Sequence, residues 1–362
     1  MKTVVVDKIG SITQALTLGR ELRIETQNIP CTEGTVLVVE ILTNKSTYNT
    51  LELTSGRMAK VARGDIVVGA LGHRQALFGY SGHLPESVKE GDIIQMLNIG
   101  GVLGICDSAN PDKGKPFDCR VLGVVLQFPY LGERIGVPAK VGYKELDYGA
   151  KVETRNVKVV ALAGTCMEAG KTAAACAIVA RMRHRGLNVH AFKATGVSLR
   201  RDIMAFEDAG ARKSAIFTDY GVVTTTAKTG PAITRTLLTE MAQGDPDVIV
   251  FELGDGLLGA YGVEAILLEK DIRDALTSVV LSANDPVAAW GGVKLLREKF
   301  GIEPSVVTGP ATDNAVGVNI IRDQMKVHAW NAMTDGAALG DCVIDSLNLS
   351  PEVLAKSNVK QD

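Results

Sequence analysis

The run Val157–Gly186, VKVVALAGTCMEAGKTAAACAIVARMRHRG, places a lysine and a threonine directly behind a glycine-bounded loop. Glycines at 164 and 170 allow a turn tight enough to aim several backbone N–H groups at one anion. Gly164, Thr165, Cys166, Ala169, Gly170, Lys171 and Thr172 therefore form a candidate phosphate cradle. In such a cradle Lys171 reaches the β/γ-phosphates as a point charge, and the Thr172 hydroxyl ligates Mg²⁺. The flanks fit. An apolar run, Val157–Leu162 broken only by Lys158, precedes the loop. An Ala/Ile/Val-rich segment ending at Gly186 follows it, as a helix whose positive N-terminal dipole faces the anion.

A second acid-bearing element lies downstream. In DVIVFELGDG, Glu252 closes four apolar residues, with Gly254, Asp255 and Gly256 behind it. A carboxylate at that end of a parallel-sheet strand sits where such sheets bind ligands, and it is able to hold Mg²⁺. Lys193 ends the run Asn188–Ala194, and SLRRDIMAFED supplies Asp202 and Asp208. On a regular helix those two acids are about 600° apart and do not share a face. Asn284-Asp285-Pro286 opens a helix by way of a plausible N-cap. Asp219–Gly221 and threonines 224–226 either shape a pocket or connect elements. His73, Arg74 and His83 in GALGHRQALFGYSGH read as an anion-facing loop or, more simply, as turn residues. The spacing of the two histidines fits no familiar metal site.

These residues need two kinds of scaffold. Residues 1–150 carry short β-rich runs, at 35–42, 65–71, 92–97 and 120–126, punctuated by Gly, Asn and Asp. That pattern predicts a compact β-barrel or sandwich. Residues 151–362 alternate apolar strands with helices, over 171–185, 231–243, 262–274 and 286–299. The expected fold is α/β: a parallel-sheet P-loop NTPase domain preceded by a smaller β-rich domain.

The cradle departs from the standard GxxxxGK[ST], because five residues separate Gly164 from Gly170. GTCMEAGKT resembles the loop of dethiobiotin synthetase and its relatives in the MinD-like (SIMIBI) branch of P-loop proteins. The AFKATG turn, the SLRRD segment and the ELGDG strand end follow in the same order, over roughly residues 157–310. A less characterised group, one branch of which is connected with D-glutamate N-acylation, is similar too. The resemblance implies ATP and Mg²⁺ as cofactors and a homodimer. It implies Lys171, Lys193 and Glu168 as catalytic groups, and Thr172, Asp202 and Glu252 as metal ligands. The activity so implied is Mg-ATP-dependent phosphoryl transfer that activates a carboxylate or carbamate of a small-molecule substrate. Two other readings stand beside it: an acyltransferase holding coenzyme A phosphates, and a non-catalytic MinD-like nucleotide switch.

Composition agrees with a packed globular chain: 46% hydrophobic and 22% charged over 362 residues, enough for two domains. A formal charge of −2 gives no reason to expect nucleic acid or an anionic membrane as partner. No apolar stretch is long enough to span a bilayer, and MKTVVVDKIG does not read as a secretory signal. The six cysteines form no CxxC pair, so the expectation is free thiols in a reducing cytoplasm.

Overall fold

The computed structural model describes residues 1–130, 132–350 and 353. The chain forms two compact units: residues 1–146 with 197–201 and 217–224, and the remainder.

In the first unit, strand Val36–Ile41 pairs antiparallel with Ile66–Leu71, which runs parallel to Val102–Ala109. Val102–Ala109 pairs antiparallel with Ile93–Met96, and that strand with Phe117–Gln127. Phe117–Gln127 returns to Val36–Ile41, also antiparallel. The pairing closes on itself, so the β-rich domain is a barrel built on a five-stranded ring. Side chains alternate across each strand. Leu37, Val39, Val67, Leu103 and Val121 belong to one buried cluster, while Val36, Val38, Val68 and Val102 belong to another. Burial on both faces explains why Val36–Ile41 reads as a near-continuous apolar run rather than an alternating one.

Two segments from far along the chain complete this unit. Val197 bridges to Thr224, and Ser198 N donates to Val223 O. Glu33 accepts from the backbone N–H groups of Val223 and Thr224 at 3.0 and 3.2 Å. Glu52, fully buried, accepts from Ser11 Oγ and from Arg200 N and Arg201 N at 2.8 and 2.7 Å.

The second unit is a seven-stranded sheet, parallel throughout. Its order is 213–216, 189–193, 248–252, 158–164, 278–282, 306–308 and 328–329. The cradle strand is therefore central. The expected helices appear at Lys171–His184, Thr229–Met241 and Pro286–Phe300. The single helix expected over 262–274 is two, Val263–Leu268 and Lys270–Ala275, because Glu269 is extended (ψ 118°) and breaks the ladder. Arg200–Asp208 is a further helix, and Gly336–Ser346 packs on the cradle helix through Leu339 and Val343. Among the described residues no helix is long and apolar enough to cross a membrane.

Candidate functional site

The site lies at the carboxyl edge of the second unit's sheet. Strand Lys158–Gly164 delivers the loop, and helix Lys171–His184 begins directly behind it. Gly170 has φ 87°, a conformation that a side chain would strain. The loop is anchored on both sides: Thr165 N donates to Ser282 O, and Leu257 N donates to Gly164 O, each at 2.9 Å. The Thr165 hydroxyl donates to Asn284 Oδ1 at 3.0 Å. Asp285 caps the next helix through Val287 N and Ala288 N, as its sequence predicts.

Lys171 is buried, and its ammonium donates to the backbone carbonyls of Cys166 (2.8 Å) and Asp255. Burial lowers its pKa; Glu252 and Asp255 oppose that shift, and Lys193 adds to it. Two ammonium groups thus lie within electrostatic reach of each other, a setting that a polyanion would relieve. Cys176, on the same helix, has its thiol pushed up to about 11, by burial first and then by the Glu252, Asp202 and Asp208 carboxylates.

Thr172 Oγ1 donates to Glu252 Oε2 at 2.8 Å, which joins two of the three expected metal ligands in space. Two hard oxygen donors suit Mg²⁺, an ion that takes few protein ligands and fills its shell with phosphate oxygens and water. Among the described residues there is no group of three or more His, Cys, Asp or Glu able to hold an ion unaided. Asp202, the third expected ligand, is ion-paired with Lys193 Nζ, and both are buried. The helix separates the two aspartates as its geometry requires, since Asp208 is exposed. Glu168, on the loop, is exposed with φ 59°.

Asp255 has more to do than its sequence context suggests. It is buried, has φ 70°, and supplies a carbonyl to Lys171. Strain of this kind in a non-glycine residue concentrates at functional sites. The glycine after it is there for close approach, since a Cβ on Gly256 would fall 2.8 Å from Thr165 O. The only signal in the sequence is the Gly-Asp-Gly run itself.

The loop, strand and helix together form a P-loop fold. Neither a protein-family profile nor a curated protein sequence matches the chain. Among solved structures, chloroplast FtsY of Physcomitrella patens is similar at 13% identity and a TM-score of 0.39, over 57% of this chain and 69% of that one. A DUF1611 family protein from Anabaena variabilis is similar at 13% identity and 0.40, over 56% and 63%. Hydrogenase maturation factor HypB from Archaeoglobus fulgidus is similar at 14% and 0.37, over 53% and 91%. At these levels the likeness assigns no activity to this chain.

Proposed function

We propose that the second unit binds a nucleoside triphosphate with Mg²⁺ and transfers its γ-phosphoryl group to the carboxylate or carbamate of a small molecule. The observation that carries this reading is the convergence of buried Lys171 and Lys193 with the Thr172–Glu252 oxygen pair on one strand-end edge. Phosphoryl transfer needs positioning and charge stabilisation more than covalent help from the protein. The acceptor oxygen bonds to the γ-phosphorus, the bridging P–O bond to the β-phosphate breaks, and the diphosphate leaves with that electron pair. Lys171, released from its two carbonyl partners, holds the β/γ-phosphates. Lys193 meets charge on the phosphoryl oxygens. Thr172 and Glu252 would hold the metal, which supplies charge neutralisation across the phosphates. ATP as the nucleotide, the homodimer and the acceptor class rest on the resemblance to dethiobiotin synthetase relatives.

Calorimetric titration with ATP, GTP and acetyl-CoA, each with and without Mg²⁺, tests the reading. Mg-dependent triphosphate binding is expected, weakened about 10- to 150-fold in Lys171→Met, the worth of a charge-assisted contact. Binding of acetyl-CoA with no response to either triphosphate would exclude phosphoryl transfer. Unchanged triphosphate affinity in Lys171→Met would exclude the cradle.

A further inference from the structure

The barrel unit holds a second group of cations, remote in sequence from the cradle, in which Arg74 is buried and Lys45 and Lys113 are half-buried. Arg74 is 2% exposed. Its Nη1 donates to Tyr48 Oη at 3.0 Å and to the Leu97 carbonyl, and its Nε is buried with no partner. Lys45 Nζ donates to Tyr80 Oη at 3.1 Å and to the carbonyls of Lys113 and Lys115. Both charges lie near the Tyr80 ring, with Lys45 Nζ 5.7 Å and Arg74 Cζ 5.8 Å from its centroid. Lys113 Nζ adds a third, 5.9 Å from the Tyr48 ring.

Among the described residues, no Asp or Glu forms an ion pair with Lys45, Arg74 or Lys113. Burial lowers the Lys45 pKa, and no carboxylate offsets it. A buried charge without a counter-charge is costly, because neutral carbonyls and hydroxyls return only part of the lost hydration. Tyr48 is itself held at φ 49°, a strained conformation for an aromatic residue. It lines a cavity of about 10 Å³ together with Lys45, Thr50, Tyr80 and Asn98. That volume holds about one water-sized occupant.

We propose that this Lys45–Arg74–Tyr48 cluster binds one small monovalent anion, a halide of the size of chloride. The hydroxyl of Tyr48, whose oxygen already accepts from Arg74, points its own proton at the anion. Lys45, on the cavity wall, and Arg74, behind the Tyr48 hydroxyl, supply the compensating charge. The residues of this site belong to the barrel unit and none of them is shared with the phosphate cradle.

The experiment is thermal unfolding of the full chain at constant ionic strength, with sodium gluconate replaced stepwise by sodium chloride or bromide. Halide is expected to raise the barrel transition by about 3 °C for each tenfold excess over Kd. A crystal grown in bromide is expected to show an anomalous peak beside Tyr48. Lys45→Met gives the discriminating readout. Removing an uncompensated charge leaves the variant as stable as the parent, or more so, in gluconate, but less stable in chloride and blind to halide. Arg74→Met is expected to behave alike, with Lys45→Met deciding if that variant does not fold. Equal unfolding temperatures in gluconate and chloride would overturn the proposal. So would a Lys45→Met penalty that is the same in both salts, which is what three structural hydrogen bonds alone would give.

Discussion

Two buried charges, one in each unit, are satisfied in opposite ways. Glu52 in the barrel is fully buried, and its donors are Ser11 Oγ and two backbone N–H groups, all fixed parts of the fold. Lys171 in the P-loop unit is buried almost as deeply, yet its partners are two backbone carbonyls with no formal charge. A carboxylate held by N–H groups at a helix start has a complete environment. The Lys171 ammonium has neutral carbonyls as its hydrogen-bond partners, with Glu252 and Asp255 acting on it through space, and an incoming phosphate is able to take the carbonyls' place. The difference separates a charge that builds structure from one kept available for a ligand.

The contrast breaks if both charges behave alike on removal. Glu52→Leu strands two N–H groups and a hydroxyl, and its expected cost is about 3 kcal/mol in denaturant unfolding. A loss under about 1 kcal/mol would mean that those donors find other partners. For Lys171→Met without nucleotide the expected change is small, within about 1 kcal/mol and of either sign, since burial of the charge already opposes folding. A large loss would place Lys171 with Glu52 as a structural charge. The smallest effect serves as a control. Arg181, and less strongly Arg185, hold the partly buried Asp341 carboxyl below its usual 3.8 against the opposing effect of burial. A lowered folded pKa gives stability that is complete above the unfolded value and lost as pH falls through the folded one. Asp341→Asn should therefore flatten the stability curve below about pH 4, by about 1 kcal/mol after solvent screening.

The cradle was legible in the sequence because it is local: Gly164, Gly170, Lys171 and Thr172 lie within one strand–loop–helix, and each element follows from its own residues. Glu252 could be read for the same reason, as an acid closing an apolar strand. The pairing of Asp202 with Lys193 was not, because the side chains meet only once a strand and the next helix are docked. Helix periodicity did separate Asp202 from Asp208. The barrel strands were visible, but their closure was not, since the order in which five short strands pair leaves no mark in any one of them. Glu52 was invisible. An acid in TLELT looks like any half-exposed strand residue until the backbone of Arg200 and Arg201 arrives.

That last contact fixes an order of events during synthesis. The acceptor at Glu52 and its donor at Arg200 are 148 residues apart, and the segment carrying Val223 comes later still. At roughly 5–20 residues per second, Glu52 is made about 7–30 s before its partner. Through that interval the barrel holds an unsatisfied carboxylate at a position destined for full burial. Its consolidation therefore waits on translation of its own late segments, residues 197–201 and 217–224, and a stall between residues 147 and 200 would leave the first unit incomplete however well its own strands pair.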